Sequence, residues 1–328
     1  MQHWDNYWQK TKTLNSFAEG EQGLGYAGDI ARFWQQIFTT LQPNASILDL
    51  ATGNGGLAVL ALQTNDRFVV TATDKANIAP LQLFSRQDAS YKYLKKIQFF
   101  GNMPSERLTF AAAEFDMVIS QFGFEYAEPA ATLQQLYRIL TPVGKAVALV
   151  HHADSFISLD CQVGLAVLPV FTAADGLLAK AQAFAIFCKP LQQFTDLSAQ
   201  QQQLLKQHSN LLLSAFMATQ QLFSGDKLDW FNVMAKDLVP ALSNWRCLSE
   251  DTITTLVHNL TDFKQRLTDQ LAASWNTAQI KHIQKIAEQQ GFVVSVATLD
   301  SAEGKLCWVF KLAKKVKENN DTGEYINN

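Results

Sequence analysis

The chain has 328 residues, with 27 basic and 30 acidic side chains for a formal net charge of −3, and 48% of its residues are hydrophobic. That length supports one large domain or two modest ones, and the near-neutral balance offers no basic field for a polyanion, which disfavours nucleic acid as a partner. Apolar runs such as Val163 to Phe171 fall short of the roughly 18 residues that cross a bilayer, so no membrane span is expected. The start, Met1-Gln-His-Trp-Asp, lacks a basic-then-apolar export pattern. Cys161, Cys188, Cys247 and Cys307 form no C-x-x-C pair, as expected of buried thiols in a reducing cytoplasm.

Trp4, Tyr7 and Trp8 share one helical face. Glu19 to Gly28 contains four glycines and reads as a mobile loop, either a lid carrying Phe17 and Tyr26 over a ligand or a plain linker. Asp29 is then expected to cap a helix with Ile30, Phe33, Trp34, Ile37, Phe38 and Leu41 on one apolar stripe, ended by Pro43-Asn44. Next comes Ile47-Leu-Asp-Leu-Ala-Thr-Gly-Asn-Gly-Gly-Leu-Ala-Val59, a buried strand (Ile47 to Leu50), a glycine turn and a helix opening at Leu57. Such a turn gathers backbone N–H groups and the positive end of a helix at one spot, and glycine lets a ligand approach that backbone.

Strands and helices alternate from there. Phe68 to Ala72, Ile97 to Phe100, Phe115 to Ser120 and Lys145 to His151 read as strands two to five, with a helix from Pro129 to Leu140. Apolar strands that do not alternate and are separated by helices imply a parallel sheet covered on both faces. From Ser155 to Trp275 the pattern is helical instead. One stripe holds Leu204, Leu205, Leu212, Phe216 and Met217, and another runs Ile253, Leu256, Val257, Leu260, Phe263, Leu267, Leu271. A helix ending at Gly291 and a hairpin, Phe292 to Thr298 with Lys305 to Leu312, restore the sheet. The expected fold class is α/β, a doubly wound, mostly parallel seven-stranded sheet with an antiparallel C-terminal hairpin and a large helical insertion after strand five. The parts are 1–28 (N-terminal helix and glycine-rich lid), 29–154 with 276–313 (core), 155–275 (insertion) and 314–328 (disordered tail). The insertion is read as a cap over the substrate side, with a homodimerisation surface as the alternative.

Gly53-x-Gly55-x-x-Ala58 with Asp74 downstream satisfies a dinucleotide fingerprint, so the spacing alone leaves two ligand classes open. Asp49 separates them. A carboxylate before the glycines would repel a pyrophosphate by about 4 kcal/mol at a few ångströms, whereas S-adenosylmethionine (SAM) has no phosphate and carries a sulfonium and an ammonium. As it stands, D-L-A-T-G-N-G-G resembles motif I of the class I, Rossmann-like SAM-dependent methyltransferases, and the closing hairpin is similar to the last two strands of that family's sheet. The resemblance covers about 1–152 and 277–312. It implies SAM as cofactor, bound by Ala51, Gly53, Asn54 and Gly55 with the backbone around Gly53 and Gly55 under its methionine part, Asp49 facing its amino group and Asp74 taking both ribose hydroxyls. Phe100-Gly-Asn102-Met103 looks like the third motif, with Asn102 where an acid commonly receives the adenine amino group and with Lys75 and Met103 flanking the ring. Phe115 to Tyr126 is similar to the fourth, placing Gln121 beside the methionine part.

Methyl transfer needs a nucleophile aligned about 3 Å from the methyl carbon, and a base if that nucleophile carries a proton. Glu125, Tyr126 and His151, past strands four and five, are the catalytic candidates. His151 would act as a base near neutral pH, and Glu125 either as a base or as the holder of a cationic amine. His151-His152 on one strand point to opposite faces, so no metal site is expected. The function expected is a cytoplasmic SAM-dependent methyltransferase acting on a small-molecule N, O or S nucleophile. The alternatives are a non-catalytic SAM-fold binding or assembly module and an NAD-type oxidoreductase.

Overall fold

The computed structural model of the chain describes residues 2–15 and 25–315. Phe17, most of the glycine-rich stretch read as a lid, and the tail from residue 316 onward lie outside them. The chain divides into two compact units, one made of residues up to Ser155 and from Ser274 onward, the other Phe156–Ala273.

In the first unit, seven strands among the described residues form one sheet: β1 (Ser46–Leu50), β2 (Val69–Thr73), β3 (Gln98–Phe100), β4 (Phe115–Gln121), β5 (Leu140–His151), β6 (Phe292–Ser301) and β7 (Gly304–Lys314). Their order is β3-β2-β1-β4-β5-β7-β6. The first five strands pair in parallel, and β7 runs antiparallel to both β5 and β6. This is the doubly wound, mostly parallel sheet with a closing hairpin that the sequence predicts. Ile47, Leu48 and Leu50 of β1 and Val118 and Ile119 of β4 are all buried, because central strands of such a sheet are covered on both faces. The edge strand β6 alternates in exposure instead. Lys314, assigned to the tail from the sequence, is the last residue of β7.

Helices α1 (Gln2–Lys10), α2 (Gly28–Phe38), α3 (Gly56–Thr64), α4 (Pro80–Leu83), α5 (Tyr91–Leu94) and α6 (Pro129–Ile139) precede the second unit. Asp29 does not cap α2. The N-cap is Ala27 and the helix begins at Gly28, so Asp29 lies in the first turn, where it pairs with Arg32 and complements the helix dipole. Where the chain leaves and re-enters the sheet unit, His152 forms a parallel bridge with Trp275, and Trp275 takes the indole N–H of Trp308 on its carbonyl at 2.7 Å. The final helix, Thr277–Gln289, is opened by a capping box at Asn276 and Gln279 and followed by Gly291 at φ 95°, the left-handed closure expected of that glycine.

The second unit is helical throughout: α7 (Phe156–Val167), α8 (Pro169–Thr172), α9 (Leu177–Leu191), α10 (Ala199–Gln220), α11 (Asp226–Ala235), α12 (Leu238–Ser243) and α13 (Glu250–Ala273); the Thr277–Gln289 helix is therefore α14. Its core joins Phe171, Phe184 and Phe231 with Ile253 and Leu267 of the α13 stripe. The α10 stripe is only partly right, since Leu212 is buried but Leu204 and Met217 are exposed. The expectation about apolar runs also needs correction. Phe156–Leu191 is, by length and composition, apolar enough to cross a membrane. Here it is interrupted at Leu168 and at Ala173–Gly176, and Val167, Phe171, Leu178 and Ala181 are buried in this unit's own core. Cys161, Cys188 and Cys307 are buried as expected, but Cys247 is exposed. Burial pushes the Cys161 thiol up to about 12 and Cys188 up to about 11.

Candidate cofactor and acceptor site

The strand order reverses between β1 and β4, so their connections depart to opposite faces and leave a crevice at the carboxyl ends of the strands. Asp49 sits inside β1, one residue before its end; Asp74 follows β2; Gln121 ends β4 and His151 ends β5. Asn102 lies two residues past β3. Three non-glycine residues at positive φ mark this edge, Ala51 (53°) after β1, Asn102 (56°) after β3 and Phe122 (54°) after β4. Strained backbone of this kind is held only where the surroundings dictate it. A Cβ on Gly123 would run into the Ala51 methyl, so the two turns lock against each other. Ser120 reinforces this by donating its hydroxyl to the Leu50 carbonyl at 3.0 Å. Gly123→Ala is therefore expected to destabilise the sheet unit by about 2 kcal/mol or more, as overpacking at backbone does, read as a lower denaturation midpoint.

Asp49 is 1% exposed and Asp74 8%. Asp49 Oδ2 accepts from the Thr52 hydroxyl (2.5 Å) and the Ala58 amide (3.2 Å), and Asp74 takes the amides of Gly53 and Ala76, both at 2.8 Å, one on each oxygen. The carboxylate of Asp74 therefore holds the glycine loop to the end of β2; it caps no helix. Burial pushes Asp49 up to about 7 and Asp74 up to about 6 despite these bonds. Among the described residues no basic side chain pairs with either. Two desolvated carboxylates without cations suit a ligand bearing positive charge and hydroxyl donors and oppose a pyrophosphate. The donor set thus fits SAM, which offers an ammonium, a sulfonium and two ribose hydroxyls.

The glycines serve contacts the sequence does not reveal. A Cβ on Gly53, whose φ is 56°, would lie 2.5 Å from the Trp8 ring, and one on Gly55 would lie 2.9 Å from Phe99. Asn54 donates its amide to the carbonyls of Trp8, Thr11 and Thr13 at 3.3, 3.1 and 2.9 Å, while its buried oxygen has no partner among the described residues. Asn102 is exposed at φ 56° and bonds Asn77. Lys75 is exposed, and half-buried Met103 packs against the sheet's core.

At the β4 and β5 ends, Gln121 accepts the buried Trp34 indole N–H at 2.6 Å, and Glu125, in a 3-10 turn, accepts the His151 amide at 2.8 Å. The His151 ring stacks on Phe122 at 4.2 Å and meets Tyr126 edge-on at 6.4 Å. Among the described residues Gln121 Nε2, Glu125 Oε2 and His151 Nδ1 are buried without a partner, and buried polar atoms in native proteins are normally satisfied. Burial drives His151 down to about 3 and Glu125 up to about 8. The expectation of a histidine base near neutral pH is thereby corrected, because imidazole loses its affinity for a proton in this apolar setting. The same burial leaves Glu125 mostly uncharged at pH 7 in the ligand-free chain. Among the described residues no cluster of three metal-ligating side chains occurs.

Residues 47–144 match the family model for a methyltransferase domain. That match lies wholly within the sheet unit and covers less than half of the chain. The ubiquinone/menaquinone biosynthesis C-methyltransferase of Geotalea daltonii is 29% identical over 144 residues, 43% of this chain and 60% of its own. The demethylmenaquinone methyltransferase of Thermus thermophilus is 35% identical over 104 residues, 31% of this chain and 46% of its own. The chain thus spans less than two thirds of the length of these curated relatives. A solved SAM-dependent methyltransferase from Aquifex aeolicus aligns over 86% of this chain and 89% of its own at 9% identity, with a TM-score of 0.41.

Proposed function

We propose that the protein is a SAM-dependent methyltransferase acting on a small-molecule acceptor. The observation that carries this is the pair of buried carboxylates, Asp49 and Asp74, on either side of the Gly53 to Gly56 turn, with no basic side chain paired to either among the described residues. In this reading Asp49 attracts the cofactor's ammonium, which would in turn hold Asp49 ionised, and the second lone pairs of Asp74 accept the ribose hydroxyls. SAM supplies an electrophilic methyl group on sulfur. Glu125 is the proton acceptor for the nucleophile, since a carboxyl raised to about 8 is a stronger base than an ordinary carboxylate and works near its own pKa. Tyr126 and Phe122 hold the His151 ring in place beside it.

Calorimetry of the full chain with S-adenosylhomocysteine (SAH), SAM and NAD tests the cofactor assignment. Saturable heat with SAH and SAM and none with NAD is expected, and at a hundredfold excess over Kd SAH should stabilise the fold by about 2.7 kcal/mol. Heat with NAD alone would sink it. Acceptor screening with methyl-labelled SAM begins with demethylmenaquinone, because one curated relative is named for it.

A further inference from the structure

Helix α1 touches three of the loops that frame the crevice, those after β1, β2 and β4. The Trp8 ring lies on Gly53 of the loop after β1 and packs with Ala76 and Ile78 of the loop after β2. Asp5 accepts the Asn77 amide at 2.8 Å and Gln9 donates to the Asn77 carbonyl at 3.0 Å. At the other side Trp4 meets Tyr126, after β4, edge-on at 5.9 Å, and it stacks on Trp8 at 6.4 Å. The Asn54 bonds to residues 8–13 and the Gly56 amide on the Leu14 carbonyl, at 3.2 Å, fasten the far end of the segment. A nine-residue helix therefore bridges the β1, β2 and β4 loops, with an indole at the glycine turn.

We propose that Trp8 is a cofactor-contacting residue and that α1 is the wall closing this crevice over the bound cofactor. The proposal rests on the methyltransferase reading above. An indole face suits such a ligand twice over, because it stacks on a purine and attracts a nearby sulfonium through its quadrupole. It also keeps water from Asp49 and Asp74, which strengthens their hold on charge.

The test measures SAH and SAM affinity by calorimetry on the full chain and amide hydrogen exchange of residues 4–10 with and without SAH. Exchange there should slow on SAH binding. Trp8→Ala should weaken both ligands by about tenfold or more, with Trp8→Phe recovering part of the loss. Asp5→Ala, which cuts one tether outside the glycine turn, should weaken SAH and speed α1 exchange while the ligand-free thermal midpoint of the sheet unit stays put; it also covers the case in which Trp8→Ala does not fold. Unchanged or tighter SAH binding in the variants, with α1 exchange indifferent to ligand, would overturn the assignment of Trp8 alone. No SAH binding by the wild-type chain would remove the methyltransferase reading itself and the proposal with it.

Discussion

Asp74→Ala should lower SAH affinity by at least about a hundredfold and destabilise the ligand-free chain by about 2 kcal/mol or more. Two losses combine. The acceptors proposed for the ribose hydroxyls disappear, and the amides of Gly53 and Ala76, each 2.8 Å from an Asp74 oxygen, are left buried without partners. Removing the desolvated carboxylate returns some stability, since burial raises its pKa to about 6, but the unpaired amides outweigh that return in a site closed to water. Asp74→Asn separates the effects. An amide has one acceptor oxygen, so it can keep one of the two loop contacts and should recover part of the stability while recovering little of the affinity. Calorimetry and a urea melt on the same samples read both, and an alanine variant that bound SAH normally would refute the ribose role.

Glu125→Gln is expected to raise the melting temperature at pH 9 and leave it almost unchanged at pH 5. The folded pKa of Glu125, about 8, lies above its ordinary 4.5 because burial penalises the charge. A raised pKa means that the folded state binds the proton more tightly, so the associated stability is fully present below about pH 4.5 and is lost as pH rises through 8. The glutamine cannot ionise and escapes this loss, which at one to two kcal/mol per pKa unit amounts to several kcal/mol. Its carbonyl can still accept the His151 amide. Activity should move the other way. Wild-type kcat/KM should climb with pH toward 8, and the variant should lose about a hundredfold or more together with that limb, the usual weight of a general base. A variant with wild-type activity and an unchanged pH profile would rule Glu125 out as the base. His151 contributes on the acid side with the opposite sign, because its depressed pKa of about 3 makes stability fall as pH drops from 6.5 toward 3.

Much of this molecule is legible in the chain because it is written in local rules. The apolar, non-alternating segments around Ile47, Val70 and Val118 can only be central strands, and the glycines after Leu50 can only be a tight turn into a helix. The acids at 49 and 74 stand at the ends of neighbouring strands because each strand is followed by its own crossover. Gly291 closes its helix as its position implies. These features depend on a few consecutive residues and on the right-handed connection between parallel strands.

Tertiary structure decided what depends on residues far apart. Trp8 rests on Gly53, and Asn54 holds the carbonyls of residues 8, 11 and 13; nothing in either stretch announces the other. The methyl of Ala51 requires glycine at 123, across two different strands. The proton affinities of Glu125 and His151 follow from how thoroughly the surrounding sheet and rings exclude water, which residue type and spacing do not encode. Periodicity and turn chemistry act over single elements and can be read in one dimension, whereas desolvation and steric fit are properties of a closed volume and exist only after the chain has folded around it.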